Sequence, residues 1–338
     1  MKTIKKYIIA TLGSHSSLQI LKGAKDEGFK TLLIVKKDRV DFYKTFPFID
    51  EFIEIDSYKD FPKIEEILIK RNVILIPHGS FVAYLGFEKN KAMKVLYYGN
   101  KSVLDFEEHR LKQRKWLEEA NINMPKLFTN INTIDYPVIV KSYGAAGGKG
   151  YFYARNKTDY KNKIKQMKSK QFIIQEYVIG VPLYVHYFYS NITNKLEIMS
   201  IDKRYETNVD SLGRIPLTSQ QGLTIEPSYV VVGNSTLVLR EAMLSQAYDM
   251  GLRTIEASKK LIDKKGLYGP FCLETVISPE QEFFVIEISC RIVAGTNLFT
   301  HGSAYSWLYY DEPMSTGRRI AREIKIAIQK DKLKSILG

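Results

Sequence analysis

Hydrophobic and polar residues between position 1 and about position 100 predict strands and helices in alternation. Four runs rich in Ile, Leu and Val are of the buried-strand type: residues 7–12, 31–35, 52–55 and 73–76. Residues 18–27 and 61–70, which lie between these runs, carry apolar side chains at helical spacing. Strands that alternate with helices favour a parallel, doubly wound sheet, whose ligands lie beyond the carboxyl ends of the strands.

Two polar loops follow the first and the fourth of these strands. One contains His15 between serines, and the other ends at Ser80. Serine is also a preferred residue at helix N-termini, so simple capping is an alternative to the binding of a ligand phosphate there. His15 lies in a polar loop and not on an apolar face, so it is either structural or a ligand-binding residue.

The pattern in the middle of the chain predicts two strands joined by a glycine-rich loop. An apolar run ends at Lys141, the loop at 144–150 contains Lys149, and an aromatic run begins at Tyr151. Glycines let backbone N–H groups approach an anion closely, and the ammonium groups supply positive charge. Walker and Rossmann loops are followed by a helix, so this layout favours a hairpin over nucleotide triphosphate. The alternative is a surface loop with incidental lysines.

Two apolar alternating runs around the polar segment 278–282 predict a second hairpin. If Glu280 and Gln281 form a two-residue loop, Glu274 lies directly opposite Glu287. Opposed carboxylates in an apolar setting repel each other, and a divalent cation between them removes the conflict. Hard oxygen ligands favour Mg²⁺, with substrate phosphates completing its coordination shell. The alternative is a pair of solvated glutamates on an exposed face.

The remaining pattern is less specific. It predicts helices over residues 105–120, 158–168 and 317–337, and strands over residues 172–178 and 183–190. The chain of 338 residues is long enough for two or three domains, and 45% hydrophobic and 26% charged residues are ordinary for a globular protein. Cys272 and Cys290 are expected to be reduced core residues. The N-terminal segment is typical of a first strand and not of a signal peptide, so we expect a cytoplasmic protein.

The formal net charge of +13 favours anionic partners. The charges are scattered, so phosphorylated small molecules account for their sign as well as nucleic acid does. A basic surface of thermophile type is a further alternative. No apolar run reaches the length of a membrane span. We therefore expect no nucleic-acid or membrane partner.

The order of these features resembles the ATP-grasp superfamily and, more closely, the archaeal formate-dependent 5-formaminoimidazole-4-carboxamide ribonucleotide synthetases of purine biosynthesis. The matching stretches cover nearly the whole chain: residues 10–18, 21–25, 77–81, 138–141, 176–180, 186–190, 202–206, 233–234, 269–273 and 295–297. The resemblance implies an α/β and α+β ATP-grasp architecture. Its parts are an N-terminal doubly wound parallel-sheet domain (1–103), a small subdomain with the glycine-rich hairpin (104–190) and a large C-terminal subdomain (191–338).

The implied activity is an ATP-dependent, ADP-forming carbon–nitrogen ligation. Formate formylates AICAR (5-aminoimidazole-4-carboxamide ribonucleotide) through formyl phosphate, and the product is FAICAR. The implied cofactors are ATP and Mg²⁺, with Mn²⁺ as a substitute, and the partners are ATP, formate and AICAR in a homo-oligomer. The alternatives are an ATP-grasp ligase that joins a carboxylate to another amine, and a nucleotide-binding regulator without turnover.

The resemblance also implies roles for individual residues. AICAR is assigned to His15, Ser80 and Asn234, and the metal to Glu274 and Glu287. ATP is assigned to Lys115, Lys141, Gly144, Gly147, Gly148, Lys149, Gly150, Glu176, Val178 and Glu206. Arg291 and Lys149 are the catalytic candidates, because they supply positive charge to a transferring phosphate. Two features depart from the family pattern: Ser289 stands where many ATP-grasp enzymes carry a metal-binding Asn, and segment 216–222 is unlike the expected run.

Overall fold

The structure, a computed structural model, describes residues 4–142, 151–167, 171–223, 228 and 230–338. The strands in these ranges are β1 (Ile8–Leu12), β2 (Lys30–Lys36), β3 (Glu51–Ile55), β4 (Val73–Leu75), β5 (Leu96–Tyr97), β6 (Leu127–Phe128), β7 (Val138–Ser142), β8 (Tyr151–Ala154), β9 (Phe172–Glu176), β10 (Val181–Ser190), β11 (Lys195–Glu206), β12 (Val231–Thr236), β13 (Gly269–Ile277) and β14 (Phe283–Ser289). The α-helices are α1 (Ser17–Asp26), α2 (Val40–Lys44), α3 (Phe61–Lys70), α4 (Gly79–Leu85), α5 (Phe87–Ala92), α6 (Ser102–Glu108), α7 (Arg110–Glu119), α8 (Lys157–Ile164), α9 (Val209–Leu212), α10 (Leu217–Gln220), α11 (Glu241–Leu261) and α12 (Thr316–Gln329).

The first sheet is parallel and has the strand order β3-β2-β1-β4-β5. Successive side chains of β1 enter different cores: Ile9 packs in one hydrophobic cluster, while Ala10 and Leu12 pack in another. A strand whose two faces are both covered needs a nearly continuous apolar sequence, as residues 8–12 show. The predicted doubly wound sheet is therefore confirmed.

The second sheet is antiparallel and has the order β12-β11-β10-β13-β14. One of its faces contributes Leu183, Val185, Leu273 and Ile288 to the largest hydrophobic core. Side chains alternate across a strand, so the neighbouring residues face the other way. Those neighbours include the charged residues of the site described below.

The third sheet is antiparallel and has the order β6-β9-β7-β8. Lys141 on β7 pairs with Tyr151 on β8, so the two strands of the predicted glycine-rich hairpin are confirmed. Its loop lies outside the described residues. β10 pairs with β11 and β13 in the second sheet, whereas the predicted boundary at residue 190 groups β10 with the third. The division into three domains stays a prediction.

Two predicted helices differ from the observed ones. The helix expected over 105–120 is two helices, α6 and α7, because His109 between them has an extended backbone with φ −104° and ψ 105°. The helix expected over 317–337 ends at Gln329, and Asp331 follows with a positive φ of 60°. A left-handed residue at this position ends an α-helix. No helix in the described part of the chain has the length and apolar character needed to span a membrane.

Candidate active site

Glu274 on β13 and Glu287 on β14 are direct cross-strand partners, as predicted. The predicted two-residue loop is wrong, however. Ser278 and Glu282 close a three-residue loop through a hydrogen bond from Ser278 N to Glu282 O of 3.0 Å, and Gln281 within it has a φ of 66°. A left-handed third residue is typical of three-residue hairpin loops.

The carboxylates still meet because β14 contains a bulge. The pairing changes between Glu274, opposite Glu287, and Thr275, opposite Val285, which leaves Ile286 as an extra residue. The longer loop shifts the register by one, and the bulge shifts it back. Ile286 and Glu287 both line the site cavity, although consecutive residues of a regular strand point to opposite faces.

Arginines oppose the two carboxylates to different extents. Arg204 on β11 donates to both oxygens of Glu274, at 2.9 and 3.3 Å, and its guanidinium lies 3.7 Å from the centroid of the Tyr184 ring. Glu287 has a longer contact of 3.4 Å with Arg110. Burial and the neighbouring Glu274 charge raise the pKa of Glu287 above its usual range. The pair thus remains electrostatically unfavourable, which supports a cation site there.

Lys141, on β7 of the third sheet, lines the same cavity as the two carboxylates and contributes an ammonium group to it. Burial, and then the Arg110 charge, lower the pKa of Lys141 to about 8, while Glu287 and Glu274 act in the opposite direction. A lysine near neutral pKa still carries its proton for most of the time at pH 7. It can therefore donate to phosphate oxygens and balance their charge.

The N-terminal sheet contributes His15, which adopts a left-handed backbone with φ 54°. Its Nδ1 lies 2.9 Å from Ser16 Oγ, and its ring stacks on that of His78 at 5.4 Å. Burial, and then the charges of His78 and Arg291, lower the pKa of His15 to about 2. His15 is consequently a neutral imidazole in the physiological pH range and serves as a hydrogen-bonding group.

The polar loop at residues 13–17 does not cap α1 through a serine side chain. Ser16 is the N-cap residue, but it makes no side-chain capping bond. Ser14 Oγ accepts a hydrogen bond of 3.0 Å from Ser80 Oγ instead, which links the two predicted loops. The capping alternative is therefore wrong for Ser16.

Arg291 approaches His15 beside Gly79. A Cβ atom at Gly79 would lie 2.9 Å from His15 Nε2 and 3.2 Å from Arg291 Nη1, so only glycine leaves room for both. Arg291 is held by Glu107 through an ion pair of 2.9 Å. A parallel bridge between His78 and Ile292 fixes the first sheet next to the end of β14.

Asn234 and Glu206 lie at the edge of the second sheet that β11 and β12 form. Asn234 on β12 donates from Nδ2 to Asp202 Oδ2 at 2.6 Å. Glu206 lies four positions further along β11 than Asp202. Burial and the adjacent Asp210 raise the pKa of Glu206 to about 7. On β9, Glu176 accepts a hydrogen bond of 3.0 Å from the Lys126 backbone N–H.

These residues surround one cavity of about 610 Å³ between the three sheets. Nine residues predicted from the sequence line it: His15, Lys141, Glu176, Val178, Glu206, Asn234, Glu274, Glu287 and Arg291. Ser80 is buried beside Ser14 and is not part of the wall. The predicted residues Gly144, Gly147, Gly148, Lys149 and Gly150 lie outside the described residues.

Lys115 is the predicted residue that the fold separates most clearly from this cavity. It is exposed on α7 and lines a shallow depression with Arg114 and Lys126. Arg110, which does line the cavity, precedes Lys115 by five positions, and such a spacing places two side chains about 140° apart around a helix. Lys115 therefore does not line this cavity, and the cation of α7 that does is Arg110.

The sequence reasoning missed Arg110, Arg204 and Asp202. The sequence pattern could have revealed Asp202 and Arg204. They alternate with Glu206 along one strand, so the three side chains share a face. Nothing in the local sequence distinguishes Arg110 from the other cations of α7. Its role depends on where the third sheet lies.

The residues fit a divalent cation held by two carboxylates. Among the described residues, no group of three or more His, Cys, Asp or Glu side chains converges as a metal site. A cation between Glu274 and Glu287 would therefore need further oxygen ligands, and water molecules and the phosphates of a bound nucleotide usually supply these to Mg²⁺. Ser289 also lines this wall, on the same strand as Glu287.

The three sheets and the cavity between them place this chain among the ATP-grasp proteins. The crystal structure of an IMP biosynthesis protein PurP from Thermococcus kodakaraensis aligns with a TM-score of 0.78 at 32% identity, over 98% of this chain and 100% of that one. An ADP complex of purK, an N5-carboxyaminoimidazole ribonucleotide synthetase, shares the fold with a TM-score of 0.67 at 14% identity, over 94% of this chain and 76% of that one.

Sequence relatives identify the family within this class. A family model described as a domain of unknown function (DUF1297) matches residues 152–338, and one described as a protein of unknown function (DUF1246) matches residues 9–128. The 5-formaminoimidazole-4-carboxamide-1-(beta)-D-ribofuranosyl 5'-monophosphate synthetase of Pyrococcus horikoshii is 52% identical, over 97% of this chain and 99% of the relative. The synthetase of the same name from Saccharolobus solfataricus is 48% identical, over 98% of this chain and 100% of the relative. The chain belongs to this synthetase family.

Proposed function

We propose that this protein is an ATP-dependent ligase that formylates the 5-amino group of AICAR with formate and gives FAICAR, ADP and phosphate. The supporting observation is the convergence of nine predicted residues from three sheets on one cavity, with opposed glutamates beside Lys141. The relatives are named as synthetases of the 5-formamino compound. Formation of that compound from AICAR and formate requires the carboxylate to be activated, and ATP cleavage supplies the driving force.

In the first step, a formate oxygen attacks the γ-phosphorus of ATP. The bond between that phosphorus and the β,γ-bridging oxygen breaks. The products of this step are ADP and formyl phosphate. Lys141 and Arg291 supply positive charge to the phosphoryl oxygens, with Lys149 as a further candidate. Glu176, Val178 and Glu206 line the part of the cavity assigned to the nucleoside.

In the second step, the amino nitrogen of AICAR attacks the formyl carbon. The bond from that carbon to the phosphate oxygen breaks, and the proton lost by the nitrogen leaves with the departing phosphate as hydrogen phosphate. His15 and Asn234 hold the AICAR side of the cavity and orient the amine towards the formyl carbon. Such positioning of two reactants accounts for several kcal/mol of a barrier, roughly 7–11 in well-oriented cases.

Glu274 and Glu287 would hold Mg²⁺ in the proposed site. The ion would neutralise charge on the phosphate oxygens of ATP, as it does in other phosphoryl-transfer enzymes. Arg204 pairs closely with Glu274, whereas Arg110 lies 3.4 Å from Glu287 and leaves it incompletely paired. A homo-oligomeric state and a cytoplasmic location stay predictions.

The proposal is tested by measuring ADP release and FAICAR formation with purified protein, Mg²⁺ and ATP. We expect ADP release that requires both formate and AICAR, with one FAICAR formed per ADP. ADP release with another carboxylate or amine, and none with formate plus AICAR, would indicate a ligase of different specificity. ATP binding without γ-phosphate loss under any combination would indicate a regulator.

A further inference from the structure

A buried aspartate lies behind Asn234 and contacts it directly. Asp202 Oδ1 lies 2.5 Å from His186 Nε2, and Asp202 Oδ2 lies 2.6 Å from Asn234 Nδ2. The side chains of Asp202 and His186 are 0% and 2% exposed. Neither of them lines the cavity, whereas Asn234 does. Asp202 and His186 therefore do not contact a ligand in that cavity directly, and Asn234 is a cavity residue to which Asp202 is hydrogen-bonded.

The hydrogen-bond partners of His186 indicate which ring nitrogen donates. Its Nδ1 is buried and has no hydrogen-bond partner among the described residues, while Nε2 faces a carboxylate that can only accept. A proton on Nδ1 would leave a buried donor unpaired, which costs about 1–3 kcal/mol. The proton accordingly sits on Nε2, and His186 donates to Asp202.

The orientation of the Asn234 amide follows in turn. An ionised carboxylate accepts hydrogen bonds and cannot donate them, so the amide nitrogen and not the amide oxygen must face Asp202. The two Asp202 oxygens each receive one donor, from His186 and from Asn234. The remaining polar atom of the amide, Asn234 Oδ1, is directed away from Asp202 as an acceptor.

The backbone after β14 keeps the carboxylate in place. A Cβ atom at Gly295 would lie 2.2 Å from Asp202 Oδ1, so the chain at this position is in close contact with the carboxylate. Gly295 is itself buried at the start of the 3₁₀ helix Ala294–Phe299. Asp202 is consequently confined by the histidine on one side and by this backbone on another.

We propose that Asp202, held by His186, is a positioning residue that fixes the Asn234 amide with its oxygen as the acceptor for an N–H group of the amine substrate. The inference rests on the proposed function, because it requires a substrate that carries N–H donors next to Asn234. AICAR has two such groups, the reacting 5-amino group and the 4-carboxamide. In the opposite orientation, the Asn234 amide would turn its own N–H groups towards the N–H groups of the substrate and would disfavour its binding.

The test uses the isosteric variant Asp202→Asn in the full chain. With His186 donating from Nε2, the new side chain turns its oxygen to the histidine and its nitrogen to Asn234. The Asn234 amide then reverses and presents N–H groups to the substrate. We expect the Kd for AICAR, measured by calorimetry without ATP, to rise at least tenfold, which equals about 1.4 kcal/mol. The Kd for ATP with Mg²⁺ should stay within twofold.

Two AICAR analogues identify the donor. One lacks the 5-amino group, and the other carries a 4-carboxylate in place of the carboxamide. The analogue without the responsible N–H group should bind wild type and Asp202→Asn with similar affinity, whereas the other should lose as much affinity as AICAR. Asp202→Ala, which frees the amide without reversing it, should give a smaller loss of AICAR affinity in the same direction.

The matched control is Asp249→Asn, an exposed aspartate on α11 that pairs with Arg253, and it should bind both ligands as wild type does. Equal losses of AICAR and ATP affinity in Asp202→Asn would show a merely structural role and overturn the proposal. Unchanged AICAR affinity in that variant would overturn it as well. If wild type itself does not bind AICAR, the proposed function fails, and the inference fails with it.

Discussion

Glu287 and Glu274 are chemically identical, yet their surroundings pair them with positive charge to different extents. Both carboxylate oxygens of Glu274 accept hydrogen bonds from Arg204. Glu287 has one longer contact with Arg110, and burial and Glu274 raise its pKa. Removal of a well-paired charge leaves its partner uncompensated, while removal of a poorly paired like charge relieves repulsion.

We therefore predict opposite stability changes for two conservative variants. Without ligands, Glu287→Gln should stabilise the fold by roughly 0.5 kcal/mol, and Glu274→Gln should destabilise it by about 1 kcal/mol or more because Arg204 loses its partner. Both variants should lose ligase turnover. Urea denaturation and the ADP-release assay measure the two effects. Stability changes of the same sign in both variants would contradict this account of the pair.

Glu206 gives a pH dependence of stability whose direction is fixed by its pKa. Burial and Asp210 raise the pKa of Glu206 to about 7 in the folded chain, above its ordinary value of 4.5. The folded state therefore binds more protons than the unfolded state between these values. The stability associated with protonated Glu206 is fully present below pH 4.5 and is lost as the pH rises through about 7.

The corresponding prediction compares wild type with Glu206→Gln, which is neutral at every pH. The melting temperature of wild type should fall relative to that of the variant between pH 5 and pH 8. Glu280→Gln, at the exposed hairpin loop, is the control and should show no such trend. A constant difference between wild type and Glu206→Gln across this range would show that Glu206 does not titrate there.

Helices α1 and α12 pack with their backbones almost in contact. A Cβ atom at Gly23 would lie 2.2 Å from Arg318 N, and one at Gly317 would lie 2.4 Å from Gln19 O. Around this contact, Glu27 accepts hydrogen bonds from Arg318 and from Arg322 of α12. Small residues and a buried carboxylate thus join α12 to α1.

We predict that Gly23→Ala destabilises the protein by roughly 1–3 kcal/mol or more, because a methyl group there meets backbone atoms that cannot rotate away. Gly213→Ala is the control, since its added Cβ would meet only Asp210 O at 3.6 Å. Thermal unfolding of both variants measures the difference. A Gly23→Ala melting temperature equal to that of wild type would show that the helices separate without cost.

The cavity lies between the three sheets and receives side chains from the second sheet, from the third sheet and from the loop after β1. Lys141 comes from the third sheet, Glu274 from the second and His15 from the loop after the first strand. A ligand that binds such a site contacts all three parts of the fold. It stabilises the folded chain according to its concentration relative to Kd.

We predict that ATP with Mg²⁺ raises the melting temperature, and that addition of AICAR raises it further. At a ligand concentration of 100 Kd, each ligand should contribute about 2.7 kcal/mol. Differential scanning calorimetry with each ligand alone and with both provides the measurement. In Glu287→Gln, the increase with ATP and Mg²⁺ should be much smaller. An equal increase in that variant would exclude a role for this carboxylate in holding the nucleotide.

Local patterns were enough to predict the parallel sheet, the two hairpins and the opposed glutamates. Apolar runs determine which residues pair, because a shift by one residue would turn every buried side chain to solvent. Glu274 and Glu287 were matched correctly although the loop between them was not. The hairpin reaches the same pairing through a longer loop and a bulge, and no local signal revealed either.

Periodic apolar residues and ordered motifs are local properties, so the amino-acid sequence alone was sufficient to predict the fold class, the family and nine of the side chains that line the cavity. Three contacts became evident from the folded protein alone: Arg110 and not Lys115 faces the cavity, Arg204 pairs with Glu274, and Asp202 lies behind Asn234. Each of these depends on the packing of one sheet or helix against another, and such contacts join residues that are far apart in the chain.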